Sequence, residues 1–189
     1  MKRIGAAFLA LFLLVPSTGM TQEAAPLWSA LAKGGHVALM RHALAPGIGD
    51  PEGFRIADCS TQRNLNDEGR AQARRTGDAF RRNKVGIAQV ISSEWCRCVE
   101  TAELLKLGQV QKFSALNSFF ELRENQDKQM ADLRSFLSAL DPAGPSLVMV
   151  THQVNISALT GEFPRSGEII VLKLGGADGF TVAGSIPAL

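Results

Sequence analysis

Three short stretches of the chain carry side chains that could do chemistry together. Arg41 and His42 stand side by side at the end of the apolar run H-V-A-L-M. Arg97 lies in S-S-E-W-C-R, just after the apolar Val90 and Ile91. His152 directly follows L-V-M-V-T. A neutral imidazole can attack phosphorus and carry the phosphoryl group. Guanidinium groups bind a dianionic phosphate through paired N–H donors. Phosphoryl transfer needs mainly positioning and charge stabilisation, with a carboxylic acid to protonate the leaving oxygen.

These residues need a frame. His36–Arg41, Gln89–Ser92 and Leu147–Thr151 read as buried strands, and Phe113–Phe120 as a further one. Helical spacing appears over Asn66–Asn83, Trp95–Leu107, Asp127–Leu140 and Asn155–Thr160. Ala24–Gly35 reads as a lead-in anchored by Trp28 and Leu31, and Glu168–Leu174 with Phe180–Ile186 as a hairpin. Alternating strands and helices predict an α/β fold, a mostly parallel sheet between helix layers. In such sheets ligands bind beyond the carboxyl ends of the strands. That rule puts Arg41-His42, Ser92-Ser93 and Thr151-His152 on one rim. Helix N-termini there add partial positive charge.

The 189 residues suffice for one domain with a proper core. Lys2 and Arg3, the apolar run Ile4–Val15 and the small residues of P-S-T-G predict a secretory signal over residues 1–19. The rest, 24–189, reads as one domain. An uncleaved anchor is the competing reading, though the run is short for a bilayer. Losing Lys2 and Arg3 lowers the formal net charge from +2 to zero. No basic stripe remains, which argues against nucleic acid as a partner. Cleavage would leave no stable membrane insertion, and the expected location is the periplasm. Oligomeric state is not legible.

In an oxidising compartment Cys59 pairs with Cys96 or Cys98, or all three stay free thiols. Cys96 with Cys98 is too close in sequence for an unstrained bridge. His42 and His152 have no third ligand at metal-binding spacing, so neither metal nor cofactor is expected. His36, behind two glycines, reads as structural.

L-M-R-H-A, S-S-E-W-C-R-C-V-E-T-A, V-T-H, and L-N-D-E-G-R-A-Q-A at Leu65–Ala73 occur in this order. Together they resemble the histidine phosphatase superfamily, of phosphoglycerate mutase-like fold, over about Val37–Gly161. The expected branch is that of exported bacterial phosphatases. The resemblance implies a three-layer αβα sandwich and a phosphohistidine formed on His42, with Arg41, Arg97 and His152 completing the phosphate pocket. It implies a glutamate acid after the third strand: Glu121 by preference, Glu124 as the alternative. Another branch places an aspartate acid after the second histidine, where this chain has Gln153. Arg63 reads either as a substrate contact from the long 45–63 loop or as a surface charge. Asn155 reads as a contact or, by preference, as a helix N-cap.

The expected function is metal-independent hydrolysis of a phosphomonoester, either a small molecule or an envelope glycan or lipid. The alternatives are a protein phosphohistidine phosphatase and a non-catalytic phosphate-binding envelope module.

Overall fold

The computed structural model describes residues 19–176 and 178–189. The predicted signal segment, apart from Gly19, lies outside the described residues. No described helix is long and apolar enough to cross a membrane.

Six strands form one sheet in the order β3-β2-β4-β1-β5-β6. They are β1 (His36–Arg41), β2 (Ile87–Ser92), β3 (Val110–Lys112), β4 (Ser146–Thr151), β5 (Ile169–Leu174) and β6 (Phe180–Ile186). β3, β2, β4 and β1 run parallel, and the β5–β6 hairpin closes one edge antiparallel. The register sets Arg41 opposite Thr151 and Ser92 opposite Val150. Three strand ends therefore stop level with one another, as the α/β reading requires.

The strands are covered on both faces because their apolar side chains alternate between two cores. Ala38, Met40, Val148 and Val150 pack under α1 (Gly19–Lys33), α2 (Asp67–Arg82) and α3 (Cys96–Leu105). Val37, Leu39, Leu147 and Met149 face α4 (Gln126–Ser138) and α5 (Gln153–Thr160). This is the three-layer αβα sandwich. The predicted lead-in is helix α1: Ala24, Trp28 and Leu31, at i, i+4 and i+7, are its buried stripe.

Two expectations are corrected. Phe113–Phe120 is not a strand; β3 is the short, mostly exposed Val110–Lys112 at the sheet edge. Residues 114–116 form a 3₁₀ turn that buries Ala115 and Leu116, with Phe119 buried just beyond. The apolar residues of this stretch fill one core from an irregular segment, so their alternation is not that of a strand. Asn155 is not an N-cap. His152 occupies that position, and Asn155 lies inside α5, where its Nδ2 donates to the Asn117 carbonyl at 2.8 Å. It ties α5 to the irregular 113–120 segment.

α2 behaves as its sequence suggests. Asn66 caps it by accepting from the Gly69 amide at 2.8 Å. Gly69 is obligatory for a packing reason: a Cβ there would lie 2.1 Å from the Leu44 carbonyl oxygen. Gln72 accepts from the Leu44 amide at 3.0 Å and donates to the Ser166 carbonyl at 3.1 Å. The L-N-D-E-G-R-A-Q-A stretch thus braces the chain as it leaves His42.

Candidate active site

His42 follows β1 directly, and its backbone amide donates to the Thr151 carbonyl at 2.9 Å. The next amide, of Ala43, donates to Thr101 Oγ1 at 3.0 Å, and that hydroxyl donates to the Arg97 carbonyl. Thr101 therefore links α3 to the His42 turn. The His42 and His152 rings meet edge to face, 5.5 Å between centroids. Both are buried.

His42 Nδ1 lies 2.8 Å from the Ala43 carbonyl oxygen. A carbonyl only accepts, so Nδ1 carries the proton and Nε2 keeps its lone pair. Burial, then the nearby Arg97 guanidinium, holds the His42 pKa well below the usual histidine value. The ring is a neutral imidazole with a free nucleophilic nitrogen. His152 is held low for the same two reasons, in the same order. Its Nε2 meets Ser93 Oγ at 2.9 Å and its Nδ1 meets an Arg97 nitrogen at 3.4 Å.

The arginines converge as expected, each steered by a different anchor. Arg41 donates to Gln153 Oε1 at 3.1 Å and to the Pro164 carbonyl at 3.0 Å. Gln153, which replaces another branch's acid, orients Arg41. Arg63 donates through Nε to the Gly49 carbonyl at 2.7 Å and to the Ala45 carbonyl. It lines the cavity and is not a surface charge. Arg97 is buried and pairs through one nitrogen with both oxygens of Asp50, at 2.8 and 3.1 Å. Four buried side-chain atoms among the described residues lack a hydrogen-bond partner. Two of them are Arg41 Nε and Arg97 Nε. Arg41 and Arg97 both line one cavity of about 250 Å³.

Asp50 was missed by sequence reasoning. Besides Arg97, its carboxylate accepts from Trp95 Nε1 and from the Arg63 amide, both at 3.0 Å. Those donors hold its pKa below the usual aspartate value against the opposing effect of burial. The available signal was weak: an aspartate within a long Gly- and Pro-containing loop. Glu121 lines the cavity and accepts from the Asp50 amide at 3.4 Å. Glu124 sits in an exposed 3₁₀ turn, 123–125, and does not line it. Cys59 and Cys96 are joined by a disulfide and Cys98 is a buried free thiol. Burial pushes that thiol up to about 12, so it stays protonated. The disulfide ties the 45–63 loop to the first turn of α3, between Trp95 and Arg97. Among the described residues no group of three His, Cys, Asp or Glu could hold a metal ion.

Residues 37–130 match the model of the histidine phosphatase superfamily, branch 1. That match covers Arg41, His42 and Arg97 in the geometry just described. The chain belongs to the histidine phosphatase superfamily. As a member it is a phosphatase that works through a histidine. No curated protein matches the chain. Among solved structures it is similar to the protein histidine phosphatase SixA complexed with tungstate, at 18% identity and a TM-score of 0.60. That likeness covers 80% of this chain and 96% of SixA. It is also similar to YhfR of Bacillus stearothermophilus, at 16% identity and TM-score 0.59, over 82% and 98% of the two chains. For the mycobacterial glucosyl-3-phosphoglycerate phosphatase Rv2419c the values are 14% and 0.57, over 81% and 99%. At these identities the likeness establishes the shared fold. The roles of individual histidine phosphatase residues in this chain rest on its own geometry.

Proposed function

We propose that this histidine phosphatase is a metal-independent phosphomonoester hydrolase that forms a phosphohistidine on His42. The observation that carries the reading is the convergence of Arg41, Arg63 and Arg97 on one cavity beside a neutral imidazole. A phosphoryl group seated in that cavity would supply acceptors for these guanidinium groups. His42 Nε2 attacks phosphorus and the P–O bond to the alcohol breaks. Glu121 delivers a proton to the departing oxygen. In the second half Glu121 removes a proton from water, whose oxygen attacks phosphorus and breaks the N–P bond. Free phosphate and neutral His42 are regenerated. Arg41, Arg63 and Arg97 hold the equatorial oxygens throughout, so charge is stabilised without reorganisation.

The apolar Ile4–Val15 run behind Lys2 and Arg3 supports export, and with it a periplasmic or envelope phosphoester as substrate. The experiment is hydrolysis of an aryl phosphate in a chelator, with acid-stable and acid-labile phosphoprotein separated after rapid quenching. Activity persists with chelator, an acid-labile phosphoryl group appears, and His42→Ala lowers turnover by at least about 10³-fold. Chelator-sensitive turnover, or a fully active His42→Ala, overturns the proposal. A second reading, hydrolysis of protein phosphohistidine, draws on the likeness to SixA. A phosphohistidine peptide hydrolysed in strong preference to phosphomonoesters would favour it.

A further inference from the structure

The cavity has a charged floor and an outer wall of a different kind. Its floor is made by the arginines and histidines. Its outer wall is built by Ile48, Phe54, Phe120, Leu122 and Val154, with Ser118 as the one hydroxyl beside Glu121. Monomeric proteins rarely gather exposed apolar groups without a reason. Here Ile48 is 90% exposed, Phe120 43% and Leu122 40%. Ile48 projects between Gly47 and Gly49, both at positive φ (100° and 67°), a conformation that a side chain would strain. A Cβ on Gly49 would lie 2.6 Å from Glu121 Oε1, so the bare backbone admits the carboxylate. The loop thus brings the acid and Ile48 together at one mouth.

The acid marks where the leaving oxygen must sit, because proton transfer requires hydrogen-bond reach. Glu121 is flanked in sequence by Phe120 and Leu122, and all three line the cavity. The carbon attached to the leaving oxygen therefore meets apolar side chains first. A second cleft of about 440 Å³ continues from the same place and shares Phe54, Trp95, Ser118 and Leu122 with the first. Its far side is polar, lined by Asn117, Asn125, Lys128, Gln129 and Asp132. A sugar ring would need several polar partners close to the leaving oxygen, and there the neutral polar side chains are Ser118 and Gln153, the latter already held by Arg41. A compact apolar body needs none.

We propose that the phosphomonoester this site takes is one whose alcohol is apolar, a medium alkyl chain or an aryl ring, packed against Ile48, Phe120 and Leu122. The proposal rests on the phosphatase reading above and adds the class of leaving group. Burial of a methylene is worth about fourfold in affinity when complete and about twofold on a half-open wall.

The test measures binding of n-alkylphosphonates from methyl to decyl by calorimetry, beside hydrolysis of the matching alkyl phosphates and of glucose 6-phosphate. Affinity should rise about twofold per methylene and level off once the chain reaches the polar far side. Phe120→Ser and Leu122→Ser, both at exposed positions, should flatten that slope. Phe163→Ser, at an exposed aromatic outside the cavity, should leave it intact. A flat series, an unchanged slope in both wall variants, or a preference for glucose 6-phosphate over hexyl phosphate overturns the inference. Turnover and a trapped phosphohistidine with a flat series would sink the leaving-group class and keep the phosphatase. A rising phosphonate series without turnover or phosphohistidine would do the reverse.

Discussion

Removal of the Asp50 carboxylate should destabilise the protein and yet tighten its grip on phosphate. Asp50 and Arg97 are 6% and 3% exposed at their side chains, and the pair is 2.8 Å long. Deleting one partner of a buried ion pair leaves the other charge uncompensated, a loss of about 3–5 kcal/mol. The open cavity beside this pair favours the lower end, about 3 kcal/mol. For a domain of this size each kcal/mol moves Tm by about 2–4 °C, so Asp50→Ala should lower Tm by roughly 6–12 °C. Inorganic phosphate can then replace the lost carboxylate as Arg97's partner, free of the like charge it meets in the wild type. Phosphate should therefore raise the variant's Tm by more than the wild type's, each tenfold gain in affinity adding about 1.4 kcal/mol. Asp50→Asn keeps one acceptor oxygen, enough for Trp95 or the Arg63 amide but not both, and loses the charge, so its loss should fall between. The assay is thermal unfolding with and without phosphate, followed by phosphate inhibition of turnover. A loss under about 1 kcal/mol in Asp50→Ala, or weaker phosphate binding by that variant, would refute the assignment of Asp50 to the Arg97 anchor.

Three other outcomes follow from the same site. His42 and His152 have folded-state pKa values well below the ordinary 6.5, so on acidification the unfolded chain takes up protons first. Stability should be full above about pH 6.5 and fall between pH 6.5 and 5, less steeply in His42→Asn; pH-dependent unfolding checks this, and a wild-type profile flat over that window would count against buried neutral imidazoles. The neutral nucleophile should likewise put the acid limb of kcat below pH 6.5. The Cys59–Cys96 bridge spans 37 residues, and closing a loop of that length stabilises by about 4 kcal/mol on chain-entropy grounds. Cys59→Ala/Cys96→Ala should lower Tm by roughly 10 °C and lower kcat, since the loop carrying Asp50 and Arg63 is then released from α3; equal Tm for the oxidised wild type and the double variant would rule this out.

Much of the site was legible in the chain because its residues are tied to regular elements. Arg41-His42 and His152 follow buried strands, and a strand covered on both faces announces itself as a continuous apolar run. Parallel pairing then forces their ends onto one rim, so that convergence follows from the strand pattern alone. Asn66 as N-cap needs only local geometry and was likewise readable. The Phe113–Phe120 segment was misread because apolar residues filling a core from an irregular stretch look like a strand. Asn155 was misread because the helix begins two residues earlier, and a helix boundary is decided by tertiary packing as much as by capping chemistry.

The sequence by itself determined the alternation of strands and helices, the order of the four motifs and the chemical types available at the rim. Only the tertiary structure decided that Asp50 reaches across 47 residues to Arg97, that Glu121 and not Glu124 lines the cavity, and that Cys96 rather than Cys98 closes the bridge. The physical reason is the same in each case. These residues lie on loops or first turns whose side-chain directions no local periodicity sets. Their partners are chosen by where the sheet and the glycine-hinged 45–63 loop bring distant backbone together.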